Sequence, residues 1–148
     1  MIYAKCIRGT QIAHSHEEFM NRQNEDNPVY CVGETTLAKE HGGDLYCVPL
    51  NFIFCCLKHG EYIAIVDVPN DTESYPKHGY YNNYQIAMRE QKILAIFKAE
   101  SKEAIDYVAE HVRDHDCMAL NGYINGFSVE CKDYYNKRLV NDPENYYR

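Results

Sequence analysis

The chain has 148 residues, 45% hydrophobic and 25% charged, with a net charge of −7. That length suits one domain with a buried core, and the composition excludes global disorder. The acidic balance argues against a nucleic-acid backbone as the main partner, because phosphate binding needs clustered Lys and Arg.

Residues 2–8 (IYAKCIR) alternate in polarity and predict a first strand, ended by Gly9-Thr10. Ser15 with Glu18 three residues on is a capping-box signature, predicting a helix to about residue 23. Residues 29–32 read as a short strand, and residues 36–41 as a short helix stopped by Gly42. Residues 44–48 extend, and Pro49 suits a first helical turn. Residues 52–57 (FIFCCL) are apolar on every side, as in a buried helix, and Gly60 ends it. Residues 61–68 are apolar on both faces, which predicts a strand in the middle of a sheet.

Residues 72–83 form the longest irregular stretch, and Tyr75, Tyr80, Tyr81 and Tyr84 cluster there. Long loops in compact domains often carry function. Residues 92–98 (KILAIFK) predict another strand. Ser101 caps a helix in which Ile105, Val108 and Val112 form an apolar stripe. Residues 117–120 and 127–131 read as short strands, 132–140 as a terminal helix, and the tail as frayed. The strand–helix–strand unit at 44–68 favours parallel pairing by a right-handed crossover. The expected fold is a single α+β domain over residues 1–148, a central mixed β-sheet with helices packed on it.

Three features recur together in one known family. They are Gly43-Asp44-Leu45-Tyr46, the aromatic segment ending at Gly60, and the run from Glu61-Tyr62-Ile63 to Val66-Asp67-Val68-Pro69-Asn70-Asp71. Over about residues 28–105 the chain resembles an uncharacterised domain of large DNA viruses and phages, with the pattern G-L-Y-F…G-x-Y-I-x-x-V-x-I-P-x-D. That domain often precedes ankyrin repeats, which do not follow here. The chain also departs from the pattern in reading Asp44-Leu45-Tyr46-Cys47. The resemblance implies a viral or phage origin and a fold, with no established activity. More distantly, the same unit is similar to poly(ADP-ribose)-polymerase-type transferases. In those enzymes the tyrosine stacks on nicotinamide, a first-strand histidine holds the ribose, and a late glutamate acts on the transition state. By motif Tyr46 matches that tyrosine and would contact NAD. The first strand offers Arg8 and Thr10 but no histidine, unless His14 or His16 serves, and Glu130 is the best-placed late glutamate.

Cys55 and His59 sit at helical i, i+4 spacing, and His111, His115 and Cys117 form a second local group, as zinc ligands can. No C-x-x-C pair exists, however, and cysteines inside apolar runs behave as small hydrophobes. Neither Gly42-Gly43 nor the Gly122/Gly126 pair opens a helix with the Lys or Gly-x-Gly spacing of a phosphate loop. No run nears the ~20 apolar residues of a membrane span, and MIYAKCIRGT lacks the apolar region of a secretory leader. With seven cysteines, a reducing compartment fits, with the cytoplasm (of a host, if viral) as default. The leading expectation is a non-catalytic binding module, free of cofactor and metal. It would meet a protein partner through Tyr75, Tyr80, Tyr81 and Tyr84, with self-association left open. The alternative is an ADP-ribosyltransferase-like enzyme with Tyr46 in an NAD cleft.

Overall fold

Alternating burial builds β1, Tyr3–Ile7, where Ala4 and Cys6 face one side and Tyr3, Lys5 and Ile7 the other. The structure, a computed structural model, describes residues 2–40, 43–68, 74–76, 85–112 and 124–140. The further strands are β2 Thr35–Leu37, β3 Leu45–Pro49, β4 Tyr62–Asp67, β5 Ser74–Pro76, β6 Ile86–Met88 and β7 Glu90–Lys98. They form one sheet in the order β2-β7-β4-β1-β3-β6-β5. The helices are α1 His16–Asn21, α2 Lys102–His111 and α3 Val129–Tyr135. The fold class is α+β.

Every described strand pairing is antiparallel, so the sheet is not mixed. β3 and β4 do run parallel to each other, as a strand–helix–strand unit requires. They are not neighbours, because β1 lies between them, antiparallel to both. The connection is ten residues of 3₁₀ turns, Leu50–His59, with Ile53, Phe54 and Cys56 buried. β4 is a central strand with two buried faces: Ile63 and Ile65 on one side, Ala64 and Val66 on the other.

Arg89 alone separates β6 from β7, yet these strands stand sixth and second in the sheet order. Two peptide links span only about 7 Å, so the sheet must curl until its two halves meet there. One core fills the helical side, where Val48, Ile63 and Ile65 meet Ile53, Phe54, Ile105 and Tyr135. Phe54 and Tyr135 pack edge to face, with centroids 5.1 Å apart. The second core lies inside the curl and holds Ile7, Tyr30, Leu45, Cys47, Met88 and Ile93.

Several local expectations change. Residues 35–37 are strand, not helix. β-branched Thr35 and Thr36 give β7 an edge partner, and the buried Thr36 hydroxyl donates to the Val29 carbonyl at 2.7 Å. Residues 29–32 do not form a ladder strand; Tyr30 makes one isolated parallel bridge with Ile12. Of the strand expected at 127–131, residues 129–131 are helix, because the Ser128 hydroxyl accepts from the Cys131 N–H and caps α3. The expected caps at Ser15 and Ser101 accept from the Glu18 and Ala104 N–H groups, each at 3.1 Å. The strand expected at 117–120 and the terminal tail lie outside the described residues.

Candidate functional site

β1 pairs with β3 at Tyr3↔Pro49 and Ala4↔Val48 only. The same register carried on would set Lys5 against Cys47, Cys6 against Tyr46 and Ile7 against Leu45. Those pairs do not form. Instead Leu45, Tyr46 and Cys47 pair outward with Met88, Ala87 and Ile86 of β6. β3 is thus drawn off β1 as the sheet curls, and a split opens between them. A cavity of about 400 Å³ occupies the split, with Lys5, Arg8, Tyr30, Tyr46, Cys47 and His59 among its walls.

Gly60 sets the mouth of this split. A Cβ on that residue would lie 2.1 Å from the Ile7 carbonyl carbon and oxygen. Only glycine permits that approach, which brings the end of the 3₁₀ segment onto the end of β1. A carboxylate oxygen of Glu61 then accepts from the Gly9 N–H at 2.9 Å. Arg8 and His59 reach the cavity from these two chain ends. Burial, with Lys58 and Arg8 nearby, holds the His59 imidazole below its ordinary value, so it is neutral at pH 7.

The floor is Lys5. Its ammonium donates to the Tyr30 hydroxyl at 2.6 Å and to Gln91 Oε1 at 3.0 Å. Gln91 is fully buried and donates through Nε2 to the Tyr46 carbonyl at 3.0 Å. One side chain thereby ties β7 to β1 and β3 across the inside of the curl. Both acceptors of Lys5 are neutral, and among the described residues no carboxylate pairs with it. Burial pushes its pKa from 10.5 down to about 8, against a smaller opposing effect of Cys47. Burial also raises Cys47 to about 12 and lifts Tyr30 above the usual phenol range, so both stay protonated. Asp44, a carboxylate on the cavity wall, is engaged by Arg89 at 3.1 Å.

Of the residues singled out from sequence, Tyr46 lines the cavity and is 36% exposed. Arg8 and Thr10 line it too. His14 is exposed just before α1 and His16 is exposed as its first residue, where His16 Nδ1 meets a Glu34 carboxylate oxygen at 2.7 Å. Glu130 sits exposed on α3 and pairs with Lys102 at 3.1 Å, so it does not join Tyr46 at the cavity. The backbone of Tyr75 belongs to β5, opposite Ala87. Its side chain, and Tyr80, Tyr81 and Tyr84 entirely, lie outside the described residues. Cys6, Cys31, Cys47, Cys56 and Cys131 are all buried. Among the described residues no three His, Cys, Asp or Glu side chains converge as a metal site would need. No described helix is long and apolar enough to cross a membrane.

Sequence reading missed Lys5 and Gln91. A signal existed: Lys5 shares its strand face with Tyr3 and Ile7, an odd setting for a solvated lysine. The chain matches no family model, no curated protein and no solved structure.

Proposed function

We propose that this chain is a binding module whose ligand, a small organic molecule bearing an anionic group, enters the split between β1 and β3. One observation carries the reading: the split opens a cavity of about 400 Å³ onto a lysine with no acidic partner among the described residues. A buried charge left without a counter-ion is costly, and a ligand anion would supply one. The volume falls toward the low end of the roughly 300–1,000 Å³ typical of small-molecule sites. Arg8 adds a second cation at the mouth, and Tyr46 adds an aromatic wall. The test is a thermal-shift and calorimetric survey of small carboxylates and phosphates. Binding should weaken at least about tenfold in Arg8→Ala and Tyr46→Ala, both exposed positions whose truncation leaves the fold intact. Ligands that bind equally to both variants would place the site elsewhere.

A second reading, the NAD-dependent transferase, draws support from Tyr46 and Arg8 sharing the cavity. Against it stands the position of Glu130, and the volume suits a mononucleotide better than a dinucleotide. Calorimetric titration with NAD separates the two: the transferase reading requires binding that Tyr46→Ala removes.

A further inference from the structure

A lysine that serves only the fold keeps its ammonium in water or against a carboxylate. Exposed Lys102, paired with Glu130, is an example. Lys5 does neither. Its ammonium is held by a phenol and an amide oxygen, with the buried Cys47 thiol nearby. The residue also lines the cavity. We propose that Lys5 captures the carbonyl group of an aldehyde or ketone ligand as a reversible imine within the split. This rests on the split being the ligand site.

The step balances without any redox partner. The neutral amine of Lys5 adds its lone pair to the carbonyl carbon, and one nitrogen-bound proton passes to the oxygen, giving a carbinolamine. The carbon–oxygen bond then breaks. The oxygen leaves as water, carrying both hydrogens that began on Nζ, and the carbon–nitrogen double bond closes. Tyr30 is suited to relay these protons: its hydroxyl lies 2.6 Å from Nζ and stays protonated. Gln91 Oε1, at 3.0 Å, fixes the direction of the nitrogen. The apolar surroundings slow the return hydrolysis. A pKa near 8 leaves roughly a tenth of the amine neutral at pH 7, against less than a thousandth for a lysine at 10.5.

The experiment uses the full chain, 4-carboxybenzaldehyde as carbonyl probe and sodium cyanoborohydride to reduce any imine to a stable amine. Intact-mass and peptide analysis then locate the adduct. The expected result is one saturating adduct on Lys5, formed at least about tenfold faster than on Lys102 or Lys132, because the cavity holds the probe beside Lys5 and the Tyr30 hydroxyl. Terephthalate, which keeps the ring and an anion but has no carbonyl, should bind and slow the labelling. Binding of terephthalate with no preferential adduct at Lys5 would overturn imine capture and leave the ligand site standing. If terephthalate fails to bind and labelling is spread over exposed lysines, both ideas fall.

Discussion

Lys5 and Gln91 are separated by 86 positions in the chain, yet their polar ends meet at 3.0 Å inside the curled sheet. The amide acts in two directions, accepting from the lysine and donating to the Tyr46 carbonyl. That pairing joins the first strand to the last at the point where the sheet parts, and it sets both the stability and the chemistry of the split.

The buried lysine gives folding a specific pH dependence. Below about pH 8 Lys5 is protonated in both folded and unfolded chains, so the folded form bears the full penalty of the buried charge. Between about 8 and 10.5 the unfolded chain still holds a proton that the folded one has released, and stability from this group rises with pH. Above 10.5 the contribution is complete. At 1.36 kcal/mol per pKa unit the change totals ~3 kcal/mol. Urea unfolding of wild type and Lys5→Met at pH 7, 8.5 and 10 should show the stability difference moving by about that much in favour of wild type. A difference independent of pH would mean the lysine is solvated.

Replacing Gln91 strands two partners at once. Gln91→Leu keeps the volume but leaves the Lys5 ammonium and the Tyr46 carbonyl each short of a bond, so a loss of roughly 2–4 kcal/mol is expected. Adding Lys5→Met removes one of the stranded groups. The double variant should therefore be less destabilised than the sum of the single changes, by about 1 kcal/mol or more. Strict additivity in chemical denaturation would show that the two side chains do not interact.

Gly60 is required for space. Its φ of 164° is ordinary extended backbone, open to any residue. A methyl group there would nevertheless meet the Ile7 carbonyl at 2.1 Å. Gly60→Ala should cost about 2–3 kcal/mol, since backbone must move rather than a flexible side chain. It should also widen the mouth between Arg8 and His59. Thermal unfolding checks the first effect, and a changed affinity for terephthalate checks the second.

The helix caps offer a local comparison. Ser101 accepts from the Ala104 N–H at 3.1 Å and starts the ten-residue α2, four of whose residues are buried. Ser101→Ala should destabilise the fold by about 1 kcal/mol. The same change at Ser15, which starts the six-residue α1 with Phe19 alone buried, should cost less. Equal losses in calorimetric melting would show that the cap bond, and not the packed helix behind it, sets the effect.

Much of this molecule follows from short-range chemistry. The alternation of Tyr3 to Ile7, the two-faced apolar run of β4 and the serine caps each express a preference that neighbours a few residues away satisfy. That is why strands and helices fall close to where these patterns put them. Where local signals were ambiguous, tertiary contacts chose. Thr35-Thr36-Leu37 became an edge strand because β7 offered it a ladder, and Val129 to Cys131 turned helical because Ser128 could cap them. The candidate site belongs almost wholly to this second kind. Tyr46 was identifiable by its motif, yet its place on a cavity wall depends on β3 leaving β1 for β6. Lys5 is one position in an alternating strand until a curled sheet removes water from it and Tyr30 and Gln91 supply its neutral partners. Sequence by itself determined which segments could be strands or helices. Only the tertiary structure decided which strand edges stay unpaired and which charge is buried, because both depend on contacts between residues far apart in the chain.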